Sequence, residues 1–184
     1  MSTLTISAGK HYDNNIFSTA LHLGAKTISR KVMFHDDCEY DIPAYNQDSV
    51  NKLFGMSFGL HIHKDSNGNW DGGLHWDSAR FGWRWSKSDK CIELLAYCYD
   101  DGVRNWDNQQ RFPVVAQVQL GDEVTCCIEL RGSDYLFTVT DRYGRVNNTV
   151  VKHGDIASWG FTSGLYFGGT IPAPHEMNVD VAKV

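Results

Sequence analysis

No apolar run in this 184-residue chain approaches the ~18 residues that a membrane-spanning helix requires. A membrane is therefore not an expected partner. No apolar stripe is sustained at helical spacing either, which argues against a helical core. Basic excess is missing as well. The formal net charge is −5, which counts against nucleic acid as a partner, because phosphate binding calls for a basic surface. The five cysteines, Cys38, Cys91, Cys98, Cys126 and Cys127, are odd in number and lack the spacing of a disulfide framework or a zinc site. They suit a reducing compartment. The start of the chain lacks a charged segment followed by an apolar one, so no secretory signal is expected. The expected location is cytoplasmic, or a virion assembled there.

Several catalytic signatures are absent too. There is no GxSxG elbow, P-loop, dinucleotide-binding glycine pattern or HExxH pair. The E-x-D-x-x-E cluster of jelly-roll glycosidases is missing, and glycoside hydrolysis needs two placed carboxylates. Around Glu93 the sequence offers one.

What is present is alternation. Apolar content of 42% with 21% charged residues describes an ordinary globular chain, long enough for one domain over residues 1–184 with a sizeable core. Short segments alternate apolar and polar residues, broken by turn signals every 8–12 residues, and predict roughly ten to thirteen strands. Residues 27–34 place Ile28, Val32 and Phe34 on one face, and residues 124–131 do the same with Val124, Cys126, Ile128 and Leu130. Tyr135, Phe137 and Val139 answer on the next strand. Residues 35–50 read as a long loop, with a short helical turn capped near Asp48 as an alternative. All-β architecture follows, a sandwich or a barrel.

The centre of the chain, residues 51–104, carries the candidate site. Phe54, Met56, Phe58, Leu60 and Ile62 share one parity, against Gly55, Ser57, Gly59, His61 and His63. Phe81, Trp83 and Trp85 oppose Ser78, Arg80, Gly82 and Arg84, while Ile92, Leu94, Ala96 and Cys98 oppose Glu93, Tyr97 and Tyr99. If the apolar faces share a core, the others form one surface with a floor of Gly and Ser. Such a surface suits a glycan. Arg binds carboxylates or vicinal hydroxyls with a planar fork, and Tyr offers a ring face with a wet polar tip. The candidate ligand-binding residues are His61, His63, Arg80, Arg84, Glu93, Tyr97 and Tyr99. The competing reading pairs Arg80 and Arg84 with Glu93 and Asp77 on a solvated sheet face. Trp83 and Trp85 belong with the core, whereas Trp70, Trp76 and Trp106 sit in loop contexts.

Residues 65–71, DSNGNWD, space oxygen ligands at Asp65, Asn67, Asn69 and Asp71, in the manner of a calcium loop. The same letters spell a hairpin with Asn67-Gly68 at its turn. No other cofactor is expected. His61 and His63 lie on one strand face, where His75 or His175 could complete a metal set, although the sequence identifies no third ligand.

Three phrases occur together: residues 51–55 (NKLFG), 78–84 (SARFGWR), and 166–169 (YFGG) followed by 173–175 (APH). This combination resembles a group of uncharacterised bacterial and phage domains with a concanavalin-like jelly-roll fold. The resemblance implies an antiparallel two-sheet sandwich with a concave face, and it lends no catalytic residues. Three functions stay open. The first is a non-catalytic, lectin-like glycan-binding domain. The second is a polysaccharide lyase on uronic acids, with Arg80 or Arg84 neutralising the carboxylate, His61 or His63 as base and Tyr97 or Tyr99 as acid. The third is a phage or particle structural or adhesion protein, working as a homo-oligomer or within an assembly.

Overall fold

A computed structural model describes residues 1–14, 19–64, 70–73, 75–105 and 111–184, without the side chains of 63, 64 and 70–72. Its strands are β1 (Ser2–Ile6), β2 (Leu21–Leu23), β3 (Thr27–Phe34), β4 (Asn51–Phe58), β5 (His61–Lys64), β6 (Trp70–Gly73), β7 (Ser78–Ser86) and β8 (Cys91–Asp100). They continue with β9 (Val103–Arg104), β10 (Val114–Val118), β11 (Val124–Arg131), β12 (Asp134–Asp141), β13 (Val146–Lys152), β14 (Trp159–Ser163) and β15 (Met177–Lys183). Among the described residues, helix is confined to a 3₁₀ turn at Asp36–Cys38 and one α turn, α1 (Ala44–Gln47). That turn ends where the sequence suggested one would begin, because Asn51 already opens β4.

Two antiparallel sheets form a jelly-roll sandwich. The back sheet runs β1-β15-β3-β11-β12-β13, and the front sheet runs β10-β8-β7-β4-β14-β2 with β9 beside β8. Strands near the two chain ends pair directly, Leu4 opposite Val179, and the step from β13 to β14 carries the chain from the back sheet to the front one. Alternation built these sheets as expected. Ile28, Val32, Phe34, Cys126, Ile128, Tyr135, Phe137 and Val139 face inward from the back sheet. Phe54, Met56, Phe58, Ala79, Phe81, Trp83, Ile92, Leu94, Ala96 and Cys98 face them from the front. Aromatic rings lock the two layers together: Phe81 meets Phe137 edge to face at 5.1 Å, and Phe58 stacks on Tyr135 at 5.8 Å. All five cysteines are free thiols.

The phrases that carried the family resemblance meet inside the fold. Asn51 is buried, accepts the Gly168 backbone N–H at 2.7 Å and donates to the Tyr40 hydroxyl at 3.1 Å. A side chain on Gly168 would collide with the Val50 carbonyl, so that glycine is required for close approach.

One expectation fails at Gly59. Its φ of 74° turns the chain out of the front sheet, and β5 then pairs with β6 in a separate two-stranded sheet. Leu60 and Ile62, expected in the core, are 48% and 63% exposed. Period-two parity cannot see a left-handed residue that ends a strand.

Candidate functional site

The outer face of the front sheet is built from alternate residues of β4, β7 and β8. Along β7, Arg80 lies opposite Tyr97, Gly82 opposite Leu95 and Arg84 opposite Glu93. On the other side Arg80 faces Gly55 and Gly82 faces Lys52. Arg80, Arg84, Glu93, Tyr97 and Tyr99 therefore share one face, as the alternation implied.

The floor of small residues is occupied by the protein itself. A Cβ on Gly55 would strike the Ala79 carbonyl and both the backbone and the stem of Arg80, and one on Gly82 would strike Val50. Gly55 lets the Arg80 side chain lie across β4, which leaves that arginine only 5% exposed. Ser57 is also buried and donates to the Phe161 carbonyl at 3.1 Å. The ligand-accessible part of the face lies above these residues rather than against backbone.

Two cavities open there. One, of about 400 Å³, is lined by Asp48, Arg84, Tyr97, Arg104, Arg111 and Phe112. That volume falls within the usual range for ligand pockets. Arg84 Nε donates to Glu93 Oε2 at 2.6 Å, so one of the two expected pairings of the competing reading is real. Asp77 instead meets His61. The Tyr97 ring lies tilted against Phe112, 4.4 Å between centres, its hydroxyl lies 3.3 Å from that of Tyr99, and Arg104 Nε donates to Tyr99 at 2.8 Å. Burial, with the Tyr99 hydroxyl next, pushes the Tyr97 phenol upward. It stays protonated and able to donate.

The second cavity, of about 240 Å³, is lined by Tyr12, Lys52, Arg80, Ser163, Leu165 and Tyr166. Lys52 and Tyr166 exchange both backbone hydrogen bonds, each at 2.8 Å, and Tyr12 bridges Tyr166 on its far side. The Lys52 ammonium lies 4.6 Å from the Tyr166 ring centre and 5.9 Å from that of Tyr97. Burial, and then the Arg80 charge, bring Lys52 down to about 8. Arg80 is lowered too, chiefly by burial.

Lys52, Arg104, Arg111, Tyr12 and Tyr166 were not among the candidates from sequence. Lys52 has the parity of Phe54 and Met56, which assigns it to the core face. The structure bulges between Lys52 and Phe54, and the extra residue, Leu53, turns inward. A bulge of this kind reverses facing for everything before it.

His61 lies apart from this face, in β5. Its Nε2 is 2.8 Å from Asp77 Oδ2, and Asp77 Oδ1 accepts the Asp101 N–H at 2.7 Å. Trp76 packs nearby, 6.3 Å from His61 between ring centres. His63 pairs with Asp71 in the β5–β6 ladder, but neither side chain is among those described. Asp65, Asn67, Asn69 and Trp106 lie outside the described residues, so the calcium reading gains no geometry. His175 binds the Asp37 carbonyl at 2.9 Å, while His75 packs against Trp76 and Tyr99. Among the described residues, no three His, Cys, Asp or Glu side chains gather as a metal set.

No protein-family model matches the chain, and no curated protein matches it. Solved structures of similar shape exist at low identity. Scytalido-glutamic peptidase with a peptide-based transition-state analogue shares 9% identity at a TM-score of 0.41, over 89% of this chain and 62% of its own. The enzymatically active domain of tailspike protein 2 from bacteriophage CBA120 shares 10% at 0.47, over 99% of this chain and 27% of its own. Peanut lectin with a nine-residue peptide shares 10% at 0.39, over the full length of both chains. The chain thus spans less than two thirds of the peptidase and about a quarter of the tailspike domain. The sandwich rests on the sheet topology itself, and a fold of this kind leaves the activity open.

Proposed function

We propose that this protein is a lectin-like β-sandwich that binds an acidic glycan across the outer face of its front sheet, without turning it over. One observation carries the reading. A chain of net charge −5 gathers Lys52, Arg80, Arg84, Arg104 and Arg111 around two cavities on that face, with Tyr97, Phe112 and Tyr166 as walls. Arginine forks and ammonium groups attract carboxylates, while aromatic walls suit the apolar surfaces of sugar rings. Arg80, Lys52 (opposite Gly82) and Arg84 succeed one another at two-residue steps of β7, roughly 6–7 Å each. A polymer with repeated acidic groups can meet such a row along its length. Glu93 is already neutralised by Arg84, so it is poorly placed as half of a hydrolytic carboxylate pair.

A glycan array with uronate-containing and neutral sugars, run with and without calcium, tests this. Acidic glycans are expected to bind, less tightly as salt rises. Arg84→Ala, and the more exposed Arg104→Ala, should each weaken binding about tenfold or more. Preference for neutral glycans, for a single-stranded oligonucleotide, or for none of these would overturn the reading. The last result would favour a structural or adhesive role.

Lys52 favours a second reading, β-elimination on a uronate chain. Elimination requires a base for the sugar C5 proton, and an amine with a value near 8 is better tuned for that than an ordinary lysine. It stands beside Arg80, which can neutralise the carboxylate, and Tyr97, which can protonate the leaving oxygen. His61 is less suited, because β5 carries it off this face and away from Arg80 and Tyr97. Appearance of unsaturated-product ultraviolet absorbance with a polyuronate, lost in Lys52→Arg, would favour this reading over simple binding.

A further inference from the structure

We infer that the cavity over Lys52 is a covalent site for a small 2-oxo acid, with Lys52 forming a reversible imine to its carbonyl carbon. This site does not depend on the glycan reading, since it takes a compound small enough for the about 240 Å³ cavity rather than a chain laid across the face.

Geometry favours this chemistry. The backbone of Lys52 is fixed on both flanks, by the bridge to Tyr166 and the pairing with Gly82. Its amine is therefore delivered to one place, between the Tyr166 and Tyr97 rings. Arg80 borders the same cavity and is nearly buried, so its positive charge is poorly screened there. A carbonyl compound carrying an adjacent carboxylate is drawn in by that charge, and a neutral aldehyde is not. Tyr12 and Tyr166 supply flat walls, their rings 5.0 Å apart edge to face.

The chemistry balances without a further reactant. The neutral amine adds to the carbonyl carbon, the carbinolamine loses its oxygen as water, and that water carries off both amine hydrogens. Nucleophilic lysines of this type depend on desolvation or a neighbouring cation to free the amine near neutral pH. Both influences act here, burial first and Arg80 second. The groups facing the amine are Arg80 from β7, Tyr97 from β8, and Tyr166 and Tyr12 from the segments beyond β14 and β1. Burial raises the Tyr166 phenol, with Tyr12 adding to the effect. Tyr166 thus remains a proton donor at a pH where Lys52 is partly neutral.

The test incubates the full chain with pyruvate or glyoxylate and cyanoborohydride, then maps reduced adducts by peptide mass spectrometry. Lys52 is expected to label on the order of tenfold faster than any exposed lysine. Its labelling should rise with pH to a midpoint near 8. Acetaldehyde should not reproduce the preference for Lys52, and Lys52→Arg should remove it. Labelling of Lys52 no faster than exposed lysines would overturn the inference. Equal preference with acetaldehyde and pyruvate would overturn the 2-oxo acid assignment. Both readouts are made on the unaltered protein, so misfolding of a variant cannot mask either.

Discussion

Truncating Trp83 to alanine is expected to cost about 3–5 kcal/mol of stability, the range for losing a large aromatic from a packed interior. Trp83 is 0% exposed and holds three parts of the fold together. Its ring centre lies 5.2 Å from Phe34 of the back sheet, 6.2 Å from Tyr40 in the segment before α1, and 6.4 Å from Phe167 beyond β14. These residues are far apart in sequence and cannot collapse together into the space the indole leaves. Trp83→Phe makes a sharper test. The indole N–H finds no acceptor among the described residues, and a buried donor left unpaired is itself a cost. Phenylalanine keeps most of the ring contact and removes that donor, so its cost should be only about 1–2 kcal/mol. Urea unfolding of both variants measures this. Equal losses would mean that the Trp83 ring does not join these three parts.

Lys52→Met should stabilise the protein. Lys52 is held below its ordinary 10.5, to about 8, by burial and by Arg80. The native state therefore gives up its proton before the unfolded chain does. Below about 8 both states are charged and the full penalty of placing a cation beside Arg80 is present. Between about 8 and 10.5 the native amine is already neutral, so the penalty fades and wild-type stability rises with pH. Each pKa unit corresponds to ~1.4 kcal/mol, and allowing for the partial exposure of Lys52 leaves a gain of about 1–2 kcal/mol at pH 7. The Tyr166 and Tyr97 ring faces oppose this by favouring the ammonium, and a measured gain below that range reads out their share. Denaturation of wild type and variant on either side of pH 8 checks the sign. A wild type that loses stability as pH rises through that window would show that the rings outweigh burial and Arg80 together.

The two predictions probe opposite sides of one sheet. Trp83 points inward from β7, while Lys52 projects outward opposite Gly82 of the same strand. A fold can tolerate a costly cation on its outer face because the inner face is packed so fully. That exchange of stability for chemistry is common at functional sites.

Alternation of apolar residues determined most of this architecture. Thr27–Phe34 and Val124–Arg131 fold as the strands that their patterns describe, and the inward sets of β7 and β8 follow parity without exception. The reason is local. A strand buried on one face must repeat every two residues, so composition and facing are readable together. The coplanarity of Arg80, Arg84, Glu93, Tyr97 and Tyr99 came from the same rule.

What parity could not supply was decided by interruptions and by distant chain. Gly59 ended β4 early and sent Leu60, Ile62 and His61 out of the sheet. The bulge at Leu53 moved Lys52 from the core face to the cavity. Tyr166 reached Lys52, and Tyr12 reached Tyr166, only through bridges between residues far apart in the chain. Even the glycines changed meaning, because Arg80 and Val50 fill the space that Gly55 and Gly82 leave open. Facing is a property of each residue and its neighbours, so the sequence held it. Which side chains share a cavity depends on long-range pairing, which only the tertiary structure sets.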